Sequence, residues 1–387
     1  MHLSEAVRSL KPSATIAAAT KAKELKQQGV KVYEFTLGEP DFNTPQHIRD
    51  AALEAMNAGH THYTPSAGIL QLRQAICDTY ERDYGVSYKP NQVVVSNGAK
   101  HSIHNVLSAL CGPGDEVIIP TPYWVSYSAL VELTGAVPVL VETTEESGFC
   151  LSPEQFEAAI TDKTRLLMLN NPCNPTGAAY PVSTLEGLAR VAVKHQIPVL
   201  SDEIYEKLVY GDAKHDSIGS LSKDLHELTI TVNGFSKCYS MTGWRLGYTA
   251  APKPLADAID KIQNHTVSNA NTFSQYGALA ALQGDQSFIE DLRGEYDVKR
   301  QFVFQRLRAI PNIRVVEPQG AFYFFVYTGQ TGLKSMNLCD KLLSRYKVAT
   351  VPGVAFGYDE GIRLSYCTTL DVLNEGLTRF EQFCREH

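Results

Sequence analysis

The sequence predicts an α/β protein with a large domain, built on a mainly parallel sheet flanked by helices, and a smaller α+β domain. Three observations lead there. The chain has 387 residues, and single hydrophobic cores stop growing near ~250–300, so two domains are expected. Between residues 92 and 232, short apolar runs alternate with amphipathic stretches, the pattern of strand–helix crossover units. Beyond Gly284 the alternation breaks down, as in an α+β arrangement.

The elements follow in order. The first 44 residues hold a helix and a strand at 31–35. Strands are expected at 92–95, 116–120, 137–141, 165–169, 198–201 and 229–232, each an apolar run of strand length. Between them, amphipathic stretches at 99–110, 125–134, 153–160 and 182–194 read as helices. A long, charge-dense helix at 287–310 opens the second region. Strands at 313–316, 322–326 and 362–365, a helix at 334–345 and a last helix near the end complete it. In parallel sheets ligands bind beyond the carboxyl ends of the strands, so the residues just after each strand matter most.

Composition excludes several classes. Net charge is -7, from 35 basic and 42 acidic residues, which gives no support to nucleic-acid or anionic-membrane binding. Glu5 and Arg8 interrupt the apolar start, unlike a secretory signal. No stretch approaches the ~18 apolar residues of a membrane span. The eight cysteines are scattered and form neither a zinc ligand set nor a disulfide framework. A cytoplasmic protein with free thiols is expected.

Five segments carry chemistry-bearing residues, and four of them begin just past a predicted strand. Ser96-Asn97-Gly98-Ala99-Lys100 joins a strand to a helix; it is either a plain cap or an anion cradle, with phosphate the usual guest. Thr121-Pro122-Tyr123-Trp124 puts one of two tryptophans at a strand end, as a core aromatic or as a ring stacked on a planar cofactor. Asn170-Asn171-Pro172-Cys173-Asn174-Pro175-Thr176-Gly177 makes a turn, and Asn174 also offers a neutral donor to an aromatic hydroxyl or phenolate. Asp202, in Ser201-Asp202-Glu203-Ile204-Tyr205, is a helix N-cap or an acid keeping a heteroaromatic nitrogen protonated. Lys237, in Asn233-Gly234-Phe235-Ser236-Lys237, lies eight residues before Arg245. It is a solvated lysine, or a nucleophile made available by desolvation or cationic neighbours. His101 and His104 share a helix face, but no acid or thiol stands at ligand spacing, so no metal is expected.

The set extends along essentially the whole chain. It includes Lys11-Pro12-Ser13-Ala14-Thr15, Gly38-Glu39-Pro40-Asp41-Phe42, Tyr63-Thr64-Pro65-Ser66-Ala67-Gly68, Met241-Thr242-Gly243-Trp244-Arg245 and Arg363-Leu364-Ser365-Tyr366. In this order the segments resemble the class I pyridoxal-phosphate-dependent aminotransferases of the aspartate aminotransferase family. The resemblance is strongest to the bacterial, aspartate/prephenate-type branch that carries Lys-Pro-Ser near its start.

That resemblance implies a fold type I transferase with a large cofactor-binding domain at 45–284 and a small domain built from 1–44 and 285–387. It implies pyridoxal 5′-phosphate attached to Lys237, which also moves the proton between Cα and the cofactor carbon. Asp202 would hold the pyridinium proton, Tyr205 and Asn174 the ring oxygen, and Trp124 the ring face. Gly98, Ala99, Lys100 and Arg245 would surround the phosphate. Tyr63 would reach the phosphate of a neighbouring subunit, which requires a homodimer with shared active sites. Arg363 would bind the substrate α-carboxylate through the bidentate geometry of a guanidinium, with the Gly38 backbone against the substrate. The reaction implied is ping-pong transfer of the amino group of aspartate or glutamate to a 2-oxo acid such as 2-oxoglutarate, with prephenate as a further substrate. Lys11, with Thr15 beside it, is the candidate for a substrate's distal carboxylate; the other reading is a solvated lysine opening a helix.

Two rivals remain at this level. A carbon–sulfur lyase or decarboxylase on the same fold shares the lysine, aspartate and arginine, although the local text matches aminotransferases better. A non-catalytic regulator needs a fused DNA-binding module, and the aminotransferase pattern already begins at Lys11.

Overall fold

The computed structural model describes residues 14–387 together with Leu3, Val7, Arg8 and Leu10; Lys11 lies outside the described residues. A helix, Ala14–Gln27, and a two-residue strand, β1 (Tyr33–Glu34), come first. The next strands are β2 (Val93–Ser96), β3 (Glu116–Thr121), β4 (Val137–Glu142), β5 (Thr164–Asn170), β6 (Val199–Asp202), β7 (Thr229–Gly234) and β8 (Gly247–Ala250). They form one seven-stranded sheet in the order β2-β8-β7-β6-β5-β3-β4. Strands β3 to β7 pair in parallel, and β8 runs antiparallel to both of its neighbours.

The sheet is apolar on both faces, which explains its unbroken apolar runs. Val117, Ile119, Leu166 and Met168 pack with Ile103, Val106 and Ile259 on one side. Ile118, Leu167 and Leu169 pack with Phe156, Leu185 and Leu188 on the other, the two-residue alternation of a strand. The covering helices include Ala99–Leu110, Ser126–Leu133, Pro153–Ala159, Val182–His195 and Lys253–Thr266. All six expected strands are present, with ends shifted by one or two residues. Strand β8 was not expected: it is four residues long and returns from the preceding loop without a crossover helix. The helix Thr272–Gln283 was also missed, because it buries polar Ser274 and Gln275 along with Ala278 and Ala281, which leaves no clean apolar stripe.

The long helix spans Ser287–Leu307, stopping short of the expected residue 310. Beyond it lie β9 (Arg314–Val315), β10 (Tyr323–Tyr327), β11 (Val348–Ala349), β12 (Val351–Pro352) and β13 (Gly361–Ser365). Strands β12-β13-β10-β9 form an antiparallel sheet, and β1 pairs in parallel with β11. The expected helix at 334–345 is an α-helix, Ser335–Lys341, that runs into a π-helical turn, Leu342–Tyr346. The chain closes with the helix Leu370–Glu386. Tyr33 and Phe35 share one core with Tyr296, Phe322, Phe324, Leu377 and Phe380. Among the described residues no helix is long and apolar enough to cross a membrane.

Candidate active site

A cavity of about 400 Å³ opens at the carboxyl ends of the parallel strands. Its floor collects all five segments: Ala99 and Lys100 after β2, Trp124 after β3, Asn170 and Asn174 at the end of β5, Asp202 and Tyr205 from β6, and Lys237 and Arg245 after β7. Its wall is Leu37, Gly38, Glu39, Tyr323 and Arg363. The register explains the convergence: Asn170 lies beside Asp202 on paired strands, and Asn170 Nδ2 donates to the Asp202 carbonyl at 2.9 Å.

Asp202 is buried at the pocket floor. The Tyr127 hydroxyl donates to its Oδ2 at 2.6 Å, and the Ile204 N–H to Oδ1 at 3.3 Å. Burial pushes this acid up to about 6, while those two bonds hold it down. It is therefore an ionised acceptor at neutral pH. Lys237 is partly buried, and its amine donates to the Gly38 carbonyl. Burial lowers the amine to about 8, with like charge on Arg363 and Arg245 acting in the same direction. A solvated lysine would show no such shift.

After β2, Gly98 precedes the helix Ala99–Leu110 with φ +91°. A Cβ there would fall 2.5 Å from Arg245 Nη2, so only glycine lets the guanidinium pack against the helix start. The first N–H groups of a helix have no internal partner, and with Arg245 they make an anion cradle. Lys100 is exposed at the mouth, its Nζ 4.9 Å from the Trp124 ring centroid.

Arg363 is buried on the wall. Its Nη1 donates to Asn174 Oδ1 at 3.0 Å and its Nη2 to the Thr36 carbonyl at 2.8 Å. Its Nε is buried with no partner among the described residues, and an unpaired buried donor is costly. A buried acid for a ring nitrogen, a lysine of lowered basicity, a cationic cradle and a buried guanidinium with an open donor together fit pyridoxal 5′-phosphate and an amino-acid substrate.

Tyr63, expected at the site, does not line the pocket; its side chain is 87% exposed. Lys11 lies outside the described residues. Two pocket neighbours escaped the sequence reading. Tyr127 sits in a helix as an ordinary core aromatic, and Tyr323 hides in the apolar run Ala321-Phe322-Tyr323-Phe324-Phe325. Neither carries a local polar cue.

Comparison with known proteins agrees. The family model for aminotransferases of class I and II matches residues 30–380. The chain is 45% identical to the aspartate aminotransferase of Bacillus subtilis, an alignment covering 100% of both chains. It is 42% identical to the aspartate/prephenate aminotransferase of Cereibacter sphaeroides, over 99% of this chain and 98% of that one. The solved structure of Thermus thermophilus aspartate aminotransferase with maleate has the same fold, with a TM-score of 0.95 and 41% identity over 99% of this chain and 100% of that one. None of these likenesses favours a carbon–sulfur lyase. With the residues that the chemistry needs gathered in one pocket, the chain belongs to the class I and II aminotransferases, pyridoxal-phosphate enzymes that pass an amino group between an amino acid and a 2-oxo acid.

Proposed function

We propose that this enzyme moves the amino group of aspartate or glutamate to a 2-oxo acid such as 2-oxoglutarate, that it also accepts prephenate, and that it works as a homodimer with shared active sites in the cytoplasm. The observation that carries the reading is Arg363, a buried guanidinium that lines the pocket and whose Nε has no partner among the described residues. Both substrates of such a transfer present a carboxylate for it. Preference for dicarboxylates is supported by the names of the relatives and by maleate, a dicarboxylate, in the Thermus thermophilus structure.

Pyridoxal phosphate supplies the electron sink that makes Cα acidic. The chain's residues supply the rest. Lys237 takes the Cα proton and returns it, and its lowered basicity keeps neutral amine in supply near neutral pH. Asp202, oriented by Tyr127, holds a proton at the ring nitrogen. Tyr205 and Asn174 give hydrogen bonds to the ring oxygen, Trp124 covers the ring face, and Gly98, Ala99, Lys100 and Arg245 take the phosphate.

For the distal carboxylate, Lys11 is the candidate. The exposed Tyr63 side chain supports its reach toward a second subunit. Pairing of β1 with β11 supports a small domain of 1–44 and 285–387 against a large one of 45–284. The eight free cysteines support a reducing compartment.

A donor panel tests the assignment: aspartate, glutamate, phenylalanine and leucine against 2-oxoglutarate, oxaloacetate and prephenate. Aspartate and glutamate should give the highest kcat/KM. Equal use of leucine would reject dicarboxylate preference, and no reaction with any prephenate pair would remove prephenate.

A further inference from the structure

Tyr323 stands where floor and wall meet. It is fully buried on β10, in antiparallel register with β13, where Tyr323 faces Ser365 and Phe325 faces Arg363. Tyr323 and Arg363 are therefore diagonal neighbours on one face of the sheet. The guanidinium carbon of Arg363 lies 4.4 Å from the Tyr323 ring centroid, closer than its 5.2 Å to Phe356. At the other end, the Tyr323 hydroxyl is 3.0 Å from the Tyr205 hydroxyl. A Cβ on Gly38 would come within 3.1 Å of the same oxygen. One side chain thus borders three pocket residues from three distant segments. A space-filling aromatic would need the ring but not the hydroxyl.

We propose that Tyr323 is a positioning residue of the transamination site: its ring fixes the Arg363 guanidinium, and its hydroxyl donates to Tyr205 Oη, leaving the Tyr205 proton for the cofactor's ring oxygen. The inference rests on the cofactor and substrate roles given above to Tyr205 and Arg363. Either hydroxyl can donate in the pair, but Tyr205 cannot give its single proton both ways.

The two ends of the side chain separate by mutation in the holoenzyme. Tyr323→Phe keeps the ring and loses the hydroxyl; Tyr323→Leu loses both. Two readouts other than turnover apply: the pH midpoint of the bound cofactor's visible absorbance, and maleate affinity by calorimetry. A hydrogen bond to an anionic oxygen favours the anion, so weakening the one from Tyr205 should raise the midpoint. Tyr323→Phe should raise it by about 0.3–1 pH unit, in the same direction as Tyr205→Phe, and leave maleate affinity within about twofold. The double variant should match Tyr205→Phe alone. Tyr323→Leu should also weaken maleate roughly three- to tenfold. If Tyr205→Phe moves the midpoint and Tyr323→Phe does not, the hydroxyl role is overturned and the Tyr205 reading stands. If Tyr205→Phe moves nothing, that reading falls, and this inference with it. Unchanged maleate affinity in Tyr323→Leu would overturn the role of the ring.

Discussion

The floor and the wall of the pocket are made from different kinds of sequence. On the floor, Ala99, Trp124, Asn174, Asp202 and Lys237 sit at or just beyond the ends of strands in one sheet. On the wall, Gly38, Tyr323 and Arg363 meet only because β10 and β13 pair and because the segment after β1 crosses to them, with Thr36 accepting from Arg363. Each floor residue follows a strand recognisable by itself, whereas the wall residues share no such local cue. On the roles proposed above, the floor takes the cofactor and the wall, apart from Tyr323, takes the substrate, so substitutions on the floor and at Arg363 should move different observables.

The largest effect is expected on the floor. Lys237→Ala removes the proton carrier together with the covalent attachment of the cofactor, so turnover should fall by more than the ~10²–10⁴-fold of acid–base catalysis alone. Cofactor should still bind noncovalently, and maleate should still reach Arg363. Turnover retained within about tenfold of wild type would break the assignment.

Asp202→Asn should lower kcat by about 10²–10⁴-fold while weakening cofactor binding less. It also carries a stability signature. Burial raises Asp202 from an unfolded value near 3.8 to about 6, so between these pH values the folded state binds more protons than the unfolded one. Stability of the cofactor-free protein then falls as pH rises through that window, by up to about 3 kcal/mol. The asparagine variant escapes this loss. Calorimetry should find it more heat-stable than wild type at pH 7.5 and little different at pH 4, both without cofactor.

These expectations show what was legible in the sequence. Each floor residue follows an apolar run that can be recognised alone, so Asp202 and Lys237 stand out from the sequence. Arg363 rested on the family resemblance, because nothing in the local text around it separates a substrate ligand from any buried arginine. Tyr127 and Tyr323 were not legible at all. Their partners, Asp202 and Tyr205, lie 75 and 118 residues away in sequence, and an aromatic in an apolar run reads as packing. The fold shows the same split: strands with continuous apolar runs were found, while the antiparallel β8 and the two-residue β11 and β12 depend on partners that no local pattern announces.

On the wall, Arg363→Ala should raise KM for amino acid and 2-oxo acid alike by about 10²–10³-fold, with only a small change in the absorbance of bound cofactor, through the lost bond to Asn174. A change as large as that in Tyr205→Phe would show that wall and floor are not separable. The smallest effect belongs to the mouth. Lys11→Ala should lower kcat/KM for aspartate by about 1.5–3 kcal/mol, the range for a hydrogen bond to a charged group, with phenylalanine and leucine nearly unaffected. A loss shared equally by charged and neutral donors would point to folding or closure instead.

The most direct measurement is exchange of the aspartate Cα proton with solvent deuterium, followed by NMR at saturating aspartate in the holoenzyme and three variants. The expected result is rapid exchange in the wild type and severe loss in Lys237→Ala and Asp202→Asn. Arg363→Ala should recover near-wild-type exchange once aspartate is raised to saturation. Wild-type exchange in Asp202→Asn, or exchange in Arg363→Ala that no concentration of aspartate restores, would contradict the division of the pocket into a catalytic floor and a substrate-binding wall.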